Sequence, residues 1–147
     1  MKRFIAIISF ISVFGSIVFI AACGSGSQPT ADNPIPGKVI KSGSINNLTV
    51  TLSSDTGKLK SGDQEIFLAF TDASGKAVDV GAASLNFHMP AMGSMAAMND
   101  AATLTTTSVP GVYKGKVKIE MPGELQAQIS YEGAAGKGKT SFSVTAQ

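Results

Sequence analysis

The 147-residue sequence contains one cysteine, one histidine, two tyrosines and no tryptophan. A single cysteine excludes an intrachain disulfide and leaves no pair of thiolates for a soft metal ion. The absence of both tryptophan and a cysteine pair excludes the antibody type of core, in which a tryptophan packs against a disulfide. Charged residues make up only 15% of the chain and form no basic patch, so nucleic acid is not an expected partner.

Residues 1–22 have the features of an export signal. Lys2 and Arg3 form a short positive region, and an apolar run interrupted only by small residues follows from residue 4 to 20. Two alanines and then Cys23 close the run, an ending that resembles the lipobox of bacterial lipoproteins. We therefore predict a signal peptide and lipidation of Cys23. The alternative is a transmembrane anchor, because the run has about the length of a short membrane span.

The rest of the chain is predicted to be a tether and one domain. Residues 23–37 form a lipidated cysteine and a flexible linker rich in glycine, serine and proline, and residues 38–147 form the domain. Beyond the leader, ten basic residues balance ten acidic ones, so the formal charge of +2 belongs to Lys2 and Arg3. We expect a lipid-anchored envelope protein, on the periplasmic face of the outer membrane in a diderm cell and otherwise on the outer face of the cytoplasmic membrane.

The domain alternates apolar and polar residues with a period of two, which predicts half-buried strands. The alternating runs lie at residues 48–53, 66–71, 84–89, 102–106, 112–119, 125–131 and 142–144. Aspartate, proline and glycine between the runs predict turns at residues 55–57, 72–75, 109–111 and 121–123. About seven short antiparallel strands without any helical period predict an all-β, immunoglobulin-like β-sandwich.

One stretch, residues 88–98, holds the only histidine and four of the six methionines. Thioether sulfur is a soft, polarizable donor and imidazole suits copper, so the stretch has the composition of a Cu(I) site. The candidate metal ligands are His88, Met89, Met92, Met95 and Met98. The same composition is also typical of a loop in which methionines fill gaps over a core or form an adaptable contact surface.

The strand that leads into this stretch fixes the direction of its first two side chains. Pro90 keeps Met89 extended, so His88 and Met89 point to opposite faces. If Leu85, Phe87 and Met89 form the core row, Met89 faces inward and His88 faces outward. We expect an irregular loop that can fold Met92 or Met95 back toward His88. Met121 lies in another predicted turn, which in a sandwich can be at the same end.

Other motifs do not indicate catalysis or nucleotide binding. Residues 133–140 fit the phosphate-binding pattern G-x-x-x-x-G-K-[ST], but that loop requires a following helix, and residues 141–147 alternate as a strand. We therefore predict the glycine-rich turn of the last hairpin. His88 has no obvious acid to orient it, no serine lies in a nucleophile elbow, and no carboxylates form a convergent pair. We expect no enzymatic activity.

Four segments together resemble the YtkA-like domain, a relative of the FixH family. They lie, within a resemblance that covers about residues 45–145, at residues 72–78, 89–95, 110–113 and 121–123. The resemblance implies a small immunoglobulin-like sandwich outside the cytoplasmic membrane, exported or lipid-anchored, and in some members linked to copper handling or copper-oxidase assembly. The sequence departs from the family at Leu125, where many relatives have a tryptophan that could cover a Cu(I) site.

These observations predict two functions of different classes. The first is Cu(I) binding for copper trafficking or tolerance, with exchange of the ion with a donor or acceptor protein in the envelope. The second is a non-metal interaction or structural module that uses the methionine-rich loop as a contact surface. Dependence on His88 distinguishes them, because a contact surface would tolerate the loss of that side chain.

Overall fold

The structure, a computed structural model, describes residues 35–147. The predicted signal peptide, Cys23 and the linker up to residue 34 lie outside the described residues. The described part contains no helix, and so none that could cross a membrane. Its nine strands are β1 Lys38–Ile45, β2 Leu48–Ser54, β3 Gly62–Thr71, β4 Ala82–Met89, β5 Met98–Ala101, β6 Thr103–Thr106, β7 Val112–Ile119, β8 Gly123–Gly133 and β9 Gly136–Ala146.

The strands form two antiparallel sheets that pack face to face. Sheet A has the order β1-β2-β3-β7-β6, and sheet B has the order β5-β4-β8-β9. One apolar cluster draws side chains from both sheets, among them Val50 and Leu68 of sheet A and Phe87 and Ile129 of sheet B. Burial of alternate residues against the facing sheet is what the period-two pattern predicts. The predicted all-β sandwich is confirmed.

The structure has nine strands where the sequence pattern predicted about seven. The two strands without a predicted run are β1 and β5, and each lies at the edge of its sheet. Both pair with their neighbours through the backbone, while most of their side chains remain exposed or half-buried. A strand held in this way needs no regular apolar row, because its hydrogen bonds do not depend on side-chain type.

Strands β5 and β6 are one extended segment that changes sheets. β5 pairs with β4 in sheet B, and β6 pairs with β7 in sheet A. The change occurs at Ala102, whose amide donates to the carbonyl oxygen of Leu85 at 2.9 Å. The segment therefore closes one side of the sandwich and holds β5 firmly beside β4.

The core is organised around Phe70. Its ring meets the rings of Tyr113 and Tyr131 edge to face, at centroid distances of 5.9 and 5.6 Å. Such pairs contribute about 0.5–1.5 kcal/mol beyond the burial of their area. The Tyr113 hydroxyl donates to the carbonyl oxygen of Gly81 at 2.6 Å, so its one polar atom is satisfied. These three rings belong to the core cluster of a domain whose sequence has no tryptophan and no cysteine pair.

The four predicted turns between the alternating runs are confirmed, and the hairpin turn predicted at residues 133–140 is confined to residues 134 and 135 because β9 already begins at residue 136. All four proline- or glycine-containing turns lie between strands, and each has a glycine with positive φ. Gly133 and Gly136 pair as the last residues of β8 and the first of β9, so Ala134 and Ala135 form a two-residue hairpin turn. Residues 136–140 of the glycine-rich segment are themselves part of β9, and the helix that a phosphate-binding loop requires does not follow them.

Candidate metal site

The methionine stretch forms the tip of a β-hairpin. His88 of β4 pairs with Asn99 of β5, and Met89 pairs with Met98. Beyond the two strands, Met92 and Met95 form an isolated antiparallel bridge with backbone N–O distances of 3.2 and 2.9 Å. The four methionines thus form two cross-strand pairs, one at the base of the hairpin and one at its tip. The sequence predicted an irregular loop here, and the structure has a paired hairpin in its place.

The tip is formed by a tight turn. Gly93 and Ser94 are its two central residues, and Gly93 has a φ of 58°. Glycine at the first central position is typical of the type II′ turn, which matches the twist of a hairpin. Pro90 has no N–H to donate and lies where the ladder is interrupted between the two methionine pairs. The turn holds the tip pair away from the core, and Met92 and Met95 are 56% and 41% exposed.

Met89 belongs to the core and not to the exposed tip. Its side chain is 3% exposed and lies in the same cluster as Leu85 and Phe87. The inward direction predicted for Met89 is therefore confirmed. Met98 shares the face of Met89, because directly paired residues lie on the same side of a sheet. It is half-buried and packs against the core cluster. Both of these candidate ligands, Met89 and Met98, therefore face the core and are not exposed to solvent as the tip pair is.

His88 faces outward from sheet B, as predicted, and its ring is held by an amide. The Nδ1 atom lies 2.9 Å from Oδ1 of Asn99. The same Oδ1 accepts a hydrogen bond from the Nδ2 atom of Asn86 at 3.1 Å, which shows that the oxygen of Asn99 faces the ring. An amide oxygen only accepts, so Nδ1 is the donor in this hydrogen bond. In the neutral imidazole that has its proton on Nδ1, the lone pair lies on Nε2, to which no other side chain of residues 35–147 is hydrogen-bonded.

A row of amides continues this arrangement across the outer face of sheet B. Asn86 also donates to Oε1 of Gln128 at 3.2 Å. Because Asn86 touches both Asn99 and Gln128, the orientation of Asn99 is coupled to β8 as well as to β4. The sequence offers no obvious acid to orient His88, and the group that orients it is the amide of Asn99. The sequence does contain a signal for this contact. If Gly93 and Ser94 are the central residues of a hairpin turn, the register of the hairpin places residue 88 opposite residue 99.

The second methionine-containing turn lies at the same end of the sandwich. A Cβ atom built on Gly123 would lie 3.2 Å from Cε of Met89. In addition, the amide of Glu120 donates to Oδ2 of Asp100 at 3.3 Å, which links this turn to β5. Met121 is 38% exposed there. The Met121 turn and the methionine hairpin therefore lie at the same end of the sandwich, as the sequence allowed.

The predicted ligands come together only in part. The structure pairs Met92 with Met95 and Met89 with Met98, whereas the direct cross-strand neighbours of His88 are Asn99 and Gln126. No group of three or more His, Cys, Asp or Glu side chains in the described range is placed to hold a metal ion. A metal site at the hairpin would differ from such groups, since thioethers would supply most of its donors.

A family model described as YtkA-like matches residues 43–130 of the chain. This range is 88 of 147 residues and includes the whole methionine hairpin and most of β8. The match ends earlier than the predicted range, which extended to residue 145. No curated protein sequence and no solved structure matches the chain.

Proposed function

The chain belongs to the YtkA-like family, and from this premise and the hairpin geometry we propose that the protein binds Cu(I) for copper trafficking or tolerance. His88 provides one nitrogen through Nε2, and Met92 and Met95 provide sulfur. The ion is cargo, accepted from a donor and passed to an acceptor in the cell envelope. The observation that carries the proposal is the 2.9 Å hydrogen bond between His88 Nδ1 and Asn99 Oδ1.

The state of His88 supports this role. A histidine ligand usually donates its second ring N–H to a carbonyl or carboxylate, which fixes the tautomer and the direction of the ring. Asn99 supplies that acceptor without adding a negative charge. The Nε2 lone pair is thereby oriented before any metal arrives.

The sulfur donors are the exposed pair at the tip. Their backbone bridge keeps Met92 and Met95 opposite each other, and both side chains extend into solvent. Four residues of extended strand span about 13 Å, so an ion shared by His88 and Met92 requires both side chains to extend toward each other. The exposure of the tip leaves them free to do so. Met89 and Met98, which pack inward, have no part in the proposed ligand set.

The proposal includes the membrane anchor. The lipobox-like ending at Cys23 supports acylation, and the glycine-, serine- and proline-rich linker to residue 37 supports a tethered domain. One acyl chain binds membranes marginally and two hold firmly. We place the domain on the periplasmic face of the outer membrane in a diderm cell and otherwise outside the cytoplasmic membrane.

A second candidate function is a contact surface without metal. Three of the five exposed large hydrophobic residues of the described chain are methionines at this one end: Met92, Met95 and Met121. Exposed methionine adapts to irregular partner surfaces. In this alternative, the hairpin tip docks against an envelope protein, and His88 contributes nothing to the affinity.

A competition titration separates the two functions. The soluble segment 28–147 is titrated with Cu(I) without oxygen against a chromogenic chelator, beside Zn(II) and Cu(II). We expect one tight equivalent selective for Cu(I), with affinity at least about tenfold weaker in His88→Ala and in Met92→Ala, a loss of about 1.4 kcal/mol. Met121→Ala is the matched control, because it removes an exposed methionine at the same end. Full affinity in both test variants would exclude the ligand assignment, and no withdrawal of copper would favour the contact surface.

A further inference from the structure

The tether enters the domain at one particular end of the sandwich. The first strand begins at Lys38, which pairs with Ser54 at the end of β2. Just before it, the carbonyl oxygen of Pro36 accepts a hydrogen bond from Oγ of Ser53 at 2.6 Å. The last linker residues are thus fixed on sheet A beside the β2–β3 connection.

A chain of contacts leads from this entry point to the methionine hairpin. A Cβ on Gly57 would lie 3.0 Å from Cβ of Lys38, so the β2–β3 connection packs on the start of β1. The same connection reaches sheet B at Leu59, which forms a parallel bridge with Ala146. Ala146 pairs with Gly123, the residue that adjoins the Met89 methyl group.

The opposite end of the sandwich carries the β8–β9 turn. β8 has 11 residues between Gly123 and Gly133, and its ten steps span about 33 Å at the usual rise of a strand. Gly81, which precedes β4, packs there against Gly133. The methionine hairpin and the Ala134–Ala135 turn therefore mark the two ends of one molecule.

We propose that the methionine end is the membrane-proximal end and that the copper partner is a protein embedded in the same membrane. The proposal rests on the lipidation of Cys23 and, for the nature of the partner, on Cu(I) binding. Thirteen residue steps separate Cys23 from Pro36, where the chain is held on sheet A, and a linker with the predicted flexibility has a root-mean-square reach of about 20 Å over that length. That reach is shorter than the length of the sandwich, so the end next to the tether stays closer to the surface.

The partner is defined by the same geometry. A site held near the bilayer meets membrane-embedded acceptors at a high effective concentration, because the anchor confines both to one surface. The three exposed methionines at this end are soft thioether donors, so a partner that exchanges Cu(I) with them presents soft thioether or thiolate ligands. A partner that reaches only the far end of the domain would meet Ala134 and Ala135 and no sulfur.

Fluorescence transfer on vesicles tests the orientation without metal. The full chain is purified from membranes, and a thiol is introduced as Ser94→Cys or as Ala134→Cys. Each position is an exposed central residue of a two-residue hairpin turn, so the two variants are matched in exposure. A donor dye is attached, and the protein is reconstituted in phosphatidylcholine vesicles that carry an acceptor dye on the headgroup.

We expect a higher transfer efficiency from position 94 than from position 134. Equal or reversed efficiencies would overturn the proposed orientation. The parent chain, whose one cysteine is Cys23, serves as the control for the anchor. If the thiol dye does not label it, the Cys23 thiol is blocked. If the dye labels it, Cys23 is not lipidated. Because no step uses copper, failure of the orientation and failure of the Cu(I) site give different results.

Copper transfer then tests the location of the partner. Anchored protein loaded with Cu(I) is mixed with vesicles in which a chelating lipid shares its bilayer, or with vesicles that carry the chelating lipid separately. We expect at least tenfold faster transfer within one bilayer. Four EAAAK repeats inserted after residue 34 add a semi-rigid spacer of about 30 Å and should reduce that advantage. Equal rates with and without a shared bilayer would overturn the proposed partner.

Discussion

Cε of Met89 lies 3.2 Å from the position that a Cβ atom would occupy on Gly123. The methyl group therefore packs closely against Gly123, and a Cβ atom there would require it to shift by a few tenths of an ångström; Gly123 also has a φ of 142°, which residues with a side chain rarely adopt. The base of the methionine hairpin packs against the neighbouring strand, whereas the tip pair, which begins three residues further along at Met92, is open to solvent. One hairpin thus contains methionines with two different physical roles.

Replacing Met89 by alanine should destabilise the domain and leave Cu(I) binding intact. Loss of a buried methionine side chain costs about 2–5 kcal/mol, because it removes apolar contact and leaves a cavity. Urea unfolding of Met89→Ala measures this change. Met92→Ala is the control and should shift stability by less than about 0.5 kcal/mol, since the side chain is exposed. Unchanged stability together with lost copper affinity would place Met89 in the ligand set.

Replacing Asn99 by leucine should free the His88 ring and weaken Cu(I) binding about 10- to 100-fold, the usual effect of removing a partner that orients a metal ligand. Nitrogen NMR of the imidazole reads the tautomer directly, because the chain has one histidine. In the metal-free parent we expect the proton on Nδ1. Asn99→Asp keeps an acceptor oxygen and should keep this tautomer. A parent protein protonated on Nε2 would contradict the assignment.

Replacing Cys23 by serine should release the protein from membranes or stall its processing, because serine cannot carry the thioether-linked lipid. Membrane fractionation and the mass of the mature chain measure both effects. Ser27→Ala, four residues along the linker, should behave like the parent. A Cys23→Ser protein that fractionates and matures normally would show that the lipobox interpretation is wrong.

Ionisation of the Tyr113 hydroxyl should destabilise the domain at alkaline pH. Burial, followed by the negative charge of Asp79, raises the pKa of its hydroxyl above the usual value. Folding therefore favours the protonated form, so this stability is complete below about pH 10 and is lost as the pH rises through the raised pKa.

Tyr113→Phe tests that dependence. The variant should lose about 0.5–1.5 kcal/mol at neutral pH with the hydrogen bond to Gly81. It should also lose less additional stability between pH 9 and about pH 11, as measured by urea unfolding at each pH. An alkaline decline identical to that of the parent would assign the pH dependence to other groups.

The sequence predicted those strands whose side chains must pack against the facing sheet. β4 and β8 bury alternate residues, so their period-two pattern is required by the core. β1 and β5 were missed because edge pairing constrains the backbone more than the side chains. The same reasoning explains why the inward direction of Met89 was predictable, since it continues the alternation of β4.

The partner of His88 was not predictable from composition or local spacing. Asn99 is eleven positions away, and only the register of the hairpin brings the two side chains together. That register depends on which two residues form the turn, and Gly93 was the available signal for it. The tip pair has the same origin, because the backbone bridge between Met92 and Met95 follows from the turn between them.

The position of Gln147 also affects how copper binding should be measured. The backbone of Gln147 is hydrogen-bonded to Leu59 and Ser61, each at 3.0 Å, so Gln147 lies at the end of the sandwich where Gly123 adjoins Met89. A polyhistidine purification tag fused after Gln147 would bring six foreign imidazoles to the neighbourhood of the hairpin and compete for the metal at a high local concentration. A tag that is removed completely, or none at all, gives a titration that reports on His88 alone.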